Sequence, residues 1–186
     1  MTRQAIHKDL REPGRKRFTR WRRDRRGATA VEFALVAFPF FAMLMGLVEV
    51  ACIFIVSTVM EHGATEAARQ IRTGEFQGGT ATLAAFETEI CENMANLFDC
   101  QNNIAIDVRS DFADFAATVD PSPIDGSGNF DGSSFSFDPG GRNDIVVVRV
   151  FYQWPLFTPV ITGPLANMNG GRRLIQSTVV LKNEPF

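Results

Sequence analysis

The sequence predicts an α+β protein: a long N-terminal transmembrane helix followed by a small extracytoplasmic domain with a helix packed on an antiparallel sheet. Three observations carry this expectation. Residues 33–60, FALVAFPFFAMLMGLVEVACIFIVSTVM, hold one side chain expected to be charged, Glu49. A strongly basic arm stands directly before them. After them, a helical stripe and three strand-like segments follow within residues 62–186, enough chain for one modest core.

The apolar run comes first. A bilayer core is about 30 Å thick, so roughly 20 apolar residues rising 1.5 Å each cross it as a helix. The 28 residues exceed that, even with Pro39 and Gly46 inside the run. Soluble core helices rarely stay apolar all round beyond a few turns. The segment therefore reads as a membrane span.

Charge sets its orientation. Residues 1–26 contain eleven Lys and Arg against Asp9, Glu12 and Asp24, a net of +8. The remaining 160 residues carry 8 basic and 18 acidic groups, a net of −10, so the formal −2 conceals a polarised chain. Positive charge beside a span stays in the cytoplasm, which places the N-terminus inside and residues beyond about 62 outside. A basic arm also suits nucleic acid, but its place against the apolar run favours topology and anionic lipid, and no nucleic-acid partner is expected.

The apolar stretch is too long for an ordinary secretory signal, and the small residues Ala28-Thr29-Ala30 precede it rather than follow it. Gly27 ends the basic leader, Glu32 follows five residues later, and Phe33 opens the run.

The stretch Gly-Ala-Thr-Ala-Val-Glu-Phe (27–33) resembles the prepilin peptidase site of type IV pilins and their relatives. There a basic leader is cut after Gly, and the fifth mature residue is Glu. The wider segment RRGATAVEFALVAFPFFAMLMGLVEVA (25–51) is similar to the TadE-like pilus assembly family of the tight-adherence, or Flp-pilus, system. The resemblance extends more loosely to EAARQIRTG (66–74), RNDIVVVRVFYQWPLFTP (142–159) and NEPF (183–186). It implies cleavage between Gly27 and Ala28, with Glu32, Phe33 and Glu49 as assembly or recognition residues. The partners it implies are the inner membrane, a prepilin peptidase, and other pseudopilins, pilin or pilus assembly platform proteins.

Each acidic residue of this region carries two readings. A carboxylate at the edge of the hydrocarbon needs a partner or water. Cleavage would expose the α-amine of Ala28, which can pair with Glu32 of the same chain or, as the resemblance implies, of a neighbour. Alternatively, Glu32 lies solvated among the headgroups. Glu49 is 17 residues further along, about 26 Å in a helix. It lies either solvated at the far interface or deeper, with an intramembrane partner expected on another protein. Cys52 reads as a small apolar residue of the span.

The organisation that follows is a basic leader over 1–27, a transmembrane helix over 28–61 and an extracytoplasmic domain over 62–186. The spacing of Ala64, Ala67, Ala68 and Ile71 predicts that the helix runs on outside, with Gly63 as a possible break and Gly74 as a stop. Leu83, Phe86, Ile90, Met94 and Leu97 form the stripe of a second helix over about 80–98. Ile104, Ile106 and Val108 alternate as a strand. IVVVRVFY (145–152) is the strongest strand, with Val146, Val148, Val150 and Tyr152 on one face and Arg149 marking the other as partly solvated. RLIQSTVVLK (173–182) is the third, with Ile175, Val179 and Leu181 turned to the core.

Residues 120–144, rich in Asp, Gly, Ser and Pro, read as an irregular surface excursion. Asp125, Asn129 and Asp131 resemble oxygen ligands for calcium, but DGSGNFDG departs from the EF-hand pattern and lacks the distant Glu, so a metal-free loop is expected. In 155–171, Pro155, Pro159 and Pro164 exclude a central strand. Leu156, Phe157, Val160 and Ile161 are expected to tuck into the core, the alternative being a contact patch for a subunit or the membrane surface.

Cys91 and Cys100 form one possible pair outside the bilayer. A disulfide closing this loop contributes about 2.7 kcal/mol in the chain-entropy model. The spacing is not that of a redox motif, and no second pair exists for zinc. His7 and His62 are the only histidines, no Ser or Cys has an evident base, and Asp111 and Asp114 read as surface carboxylates. No cofactor, metal or enzymatic activity is expected. The function read from the sequence is a pseudopilin-like component in assembly of Flp-type pili. The alternatives are an uncleaved single-span envelope protein with a periplasmic binding domain and, more weakly, a membrane-anchored enzyme.

Overall fold

The computed structural model describes residues 27–79, 81–94, 99–117, 122–159 and 161–186. The basic leader as far as Arg26, Leu97 of the expected stripe, and Val160 lie outside the described residues, as does the side chain of Asp111.

One helix, α1, runs unbroken from Ala28 to Thr73 with Pro39 inside it, and it is long and apolar enough to cross a membrane. Gly63 does not break it. A Cβ at that position would come within 2.9 Å of Met94 Cγ and 3.0 Å of the Ile90 carbonyl oxygen, so the glycine lets a second helix approach closely. Gly74 ends α1 at φ +79°, a left-handed conformation in which any side chain is strained, and the Phe186 ring occupies the space a Cβ would need.

The chain forms two compact units, one ending at Met43 and one spanning Leu44–Phe186. In the first, Val31, Phe33, Leu35, Val36, Phe38, Phe40, Phe41 and Met43 are all exposed, as a lipid-facing helix requires. The second takes in the helix from Leu44 onward, so residues up to 61 that the sequence assigns to the span also belong to the folded domain.

Within the second unit, α2 (Leu83–Asn93) starts at Thr82, whose side chain accepts a hydrogen bond from the Ala85 N–H at 3.3 Å. Phe86, Ile90 and Met94 of the expected stripe are fully buried, whereas Leu83 is exposed: it sits in the first turn, at the rim of the contact. A short turn, α3 (Cys100–Asn103), leads into β1 (Ile104–Phe112). β2 (Ile145–Pro155) and β3 (Arg172–Lys182) complete an antiparallel sheet of order β1-β2-β3, with a one-turn helix, α4 (Thr162–Leu165), between them. Pro155 stands at the end of the central strand, where its missing N–H does not interrupt the ladder.

The inner face of the sheet meets the helices. Val56, Met60, Ala64, Ala67, Ala68 and Ile71 of α1 join Phe86 and Ile90 of α2 and Val146, Val148 and Val150 of β2 in one core. Alanines at 64, 67 and 68 keep α1 close, and each large side chain withdrawn from water contributes about 1.5–3 kcal/mol. Cys91 is joined to Cys100 by a disulfide with Cα atoms 5.7 Å apart, tying the end of α2 to the start of α3.

The outer face departs from expectation. Arg149 does not mark a solvated side: it is 5% exposed and paired with Asp107, itself 1% exposed. Nor is the segment between β1 and β2 a free surface excursion. It runs along the β1 edge, with the Val108 N–H donating to the Ser136 carbonyl and the Asp138 N–H to the Val108 carbonyl, both at 2.9 Å. It then lays Phe130 and Phe135 over Phe151, where Met168 and Leu174 complete a second small core. β2 is therefore covered on both faces.

Candidate cleavage and assembly site

Gly27, Ala28, Glu32 and Phe33 lie together at the start of α1, all exposed. Among the described residues, a Cβ added to Gly27 would meet nothing within 4 Å, so no packing demand from them explains a glycine there. Glu32 is exposed in the first turns of the helix, and Phe33 is 71% exposed.

Glu49 is placed very differently, in the second unit. Its side chain is fully buried. One carboxylate oxygen accepts the Phe157 N–H at 2.7 Å, and the other accepts the Thr158 N–H at 2.9 Å. An ionised carboxylate without partners in an apolar setting is very unfavourable, whereas charge-assisted bonds from two amides offset much of that desolvation. The intramembrane partner expected on another protein is thus supplied by this chain's own backbone. One turn earlier, Gly46 would place a Cβ 3.3 Å from Ile161 Cδ1, so the loop lies flat against the helix there. Cys52 is half-buried against the core and is the free cysteine.

The loop after β2 meets the expectation only in part. Leu156 packs against the core, and Ile161 is half-buried over Gly46. Phe157 is 47% exposed and does not tuck in, because its backbone turns inward to Glu49 and sends the ring outward. Sequence reasoning singled out Glu49 but not its partner. Every residue except proline offers the same backbone N–H, so no residue type announces that role.

The acidic loop uses its carboxylates locally. Asp125 accepts the backbone N–H groups of Ser127 and Asn129 at 2.9 and 2.8 Å, and Asp131 accepts that of Ser133 at 2.9 Å. These bonds hold both carboxyl groups below the ordinary carboxylate range, the largest cause being the Asn129 backbone amide for Asp125 and the Ser133 side chain for Asp131. Among the described residues, no group of three or more His, Cys, Asp or Glu is placed to hold a metal ion.

Fold and site define a class: a helix long and apolar enough to span a membrane, followed in the chain by an α+β domain. Residues 27–69 match the family model of TadE-like protein. The match opens at Gly27 and closes inside α1, so it includes Glu32 and Glu49 but not the sheet or the C-terminal residues. No curated protein and no solved structure matches the chain.

Proposed function

We propose that this protein is a pseudopilin-like component in the assembly of tight-adherence, Flp-type pili. It is anchored in the bacterial inner membrane by α1, with its N-terminus in the cytoplasm and its α+β domain in the periplasm. A prepilin peptidase removes the basic leader between Gly27 and Ala28. The observation that carries this reading is that the TadE-like match begins at Gly27, a glycine that no described residue packs against.

The chemistry is consistent with that order of events. A glycine presents no side chain to obstruct a protease at the membrane surface. Cutting there discards the +8 arm, which otherwise holds the helix at the cytoplasmic face. The new α-amine of Ala28 can then be neutralised by Glu32 of this chain or of a neighbouring pilin, pseudopilin or assembly platform protein, so that the exposed apolar helix enters a partner bundle. The role is structural, and no catalytic step is assigned to the chain.

N-terminal sequencing of the protein from a host with the cognate peptidase tests this. The mature chain is expected to begin at Ala28, Gly27→Leu to block processing, and Glu32→Ala to be cut normally yet fail to incorporate with its partners. A mature chain that still begins at residue 1 overturns the pseudopilin reading. A reporter fused after Phe186 is expected to be active only outside the cytoplasm.

A further inference from the structure

Between Val150 and Gly171 the chain has no Asp, Glu, Lys, Arg or His. The start of this stretch after β2 is irregular, and it is held against α1 at Glu49 and Gly46. Roughly 20 apolar residues cross a bilayer. Counted from Phe33, the first residue beyond Glu32, they end near Cys52, so Glu49 falls inside the count. Whatever depth Glu49 occupies, Phe157, Thr158 and Ile161 occupy it too.

Irregular backbone survives at that depth only if its polar groups are satisfied within the protein. Here they are. The N–H of Leu156 donates to the Gly171 carbonyl, those of Phe157 and Thr158 to Glu49, and that of Ile161 to the Thr158 carbonyl. Pro155 and Pro159 have no N–H to satisfy. The side chains facing out are apolar: Phe157 and Pro159 are exposed, and the neighbouring helix shows Leu47, Val48, Val50, Phe54 and Ile55 to its surroundings. A soluble domain rarely shows so continuous an apolar exterior.

We propose that the segment Leu156–Pro159 is a second membrane contact, immersed at the acyl-chain boundary of the periplasmic leaflet with the Phe157 ring among the lipid tails. Glu49 is the clasp that holds it there, and the loop in turn keeps lipid away from the carboxylate. The domain is therefore seated in the membrane surface rather than tethered above it. This rests on α1 spanning the bilayer, and the test separates the two.

The full chain with Cys52→Ala, its Cys91–Cys100 disulfide intact, is given one labelling cysteine and reconstituted in vesicles of phosphatidylethanolamine and phosphatidylglycerol. The positions are Phe157, Phe38 within the span, and Thr65, exposed sixteen residues beyond Glu49 on the same helix. An environment-sensitive fluorophore is attached, and lipids with a spin label on the acyl chain are added as quencher. Emission from Phe157 and Phe38 is expected to be blue-shifted and quenched, and that from Thr65 neither. Quenching at Phe38 with a Phe157 signal like that of Thr65 overturns the proposal and leaves the span intact. A blue-shifted but unquenched Phe157 also overturns it, since protein rather than lipid then covers the loop. Absence of quenching at both Phe38 and Phe157 overturns the span itself and the proposal with it.

Discussion

Arg149, at the middle of the central strand, donates from Nη2 to Oδ2 of Asp107 at 2.6 Å and from Nε to the same oxygen at 3.1 Å. The two residues face each other directly in the antiparallel register of β1 and β2. Asp107 also accepts the Ser136 N–H at 2.8 Å and the Arg109 Nε–H at 3.2 Å, while the Arg149 guanidinium lies 5.6 Å from the centre of the Phe151 ring and 5.9 Å from that of Phe135. One carboxylate therefore organises the outer face and the loop that covers it.

Removing one member of such a buried pair leaves the other charge without compensation, which typically costs about 3–5 kcal/mol. Asp107→Ala is expected to lower stability in denaturant titration by that order. Replacing Asp107 and Arg149 together by apolar residues of similar volume is expected to cost much less. Equal losses in the single and double variants would contradict the coupling.

Reducing the Cys91–Cys100 bond, or changing both residues to Ala, is expected to lower stability by about 2.7 kcal/mol, the chain-entropy contribution of closing so short a loop. Non-reducing peptide mapping of membrane-expressed protein should recover the two residues as a linked pair. Free thiols at both positions in freshly alkylated samples would remove the link between α2 and α3.

Glu49→Ala strands two buried amide donors, each worth about 1–3 kcal/mol when left unsatisfied. Glu49→Gln keeps one acceptor oxygen and should lose less. Thermal unfolding of the full chain in detergent is expected to rank wild type above Gln and Gln above Ala, with the loop near Phe157 becoming sensitive to protease in the Ala variant. A protein with Ala at 49 and an unchanged melting temperature would show that the clasp is not holding the loop.

The Asp125 carboxyl is held below its ordinary range, first by the Asn129 backbone amide. A carboxylate depressed in the folded state stabilises above its unfolded pKa, and that contribution disappears as pH falls through the folded value. Carbon-detected NMR titration should place Asp125 below an unstructured Asp, and the Ser127–Asn129 turn should loosen only at acid pH. In Asp125→Asn the acid-dependent loosening of this turn should vanish.

Much of the fold was legible because it follows from periodicity and punctuation. A 28-residue apolar run next to a net charge of +8 is hard to satisfy except as a helix in a bilayer. Gly74 as its stop, the second helix and three strands come from residue types whose backbone preferences act locally. The proposal for Gly27, Glu32 and Phe33 rests on their order along the chain, beside the apolar run.

Tertiary structure alone decided where long-range polar groups found their partners. Arg149 read as marking a partly solvated face, and only the folding of the segment carrying Phe130 and Phe135 over that face sealed it and Asp107 from water. Glu49 could be recognised as a carboxylate in need of a partner, but not one supplied by its own chain from 108 residues away. The physical reason is shared. Hydrophobic alternation records which side of an element avoids water, whereas the path of a loop, and the backbone amides it delivers, depend on the whole packed domain.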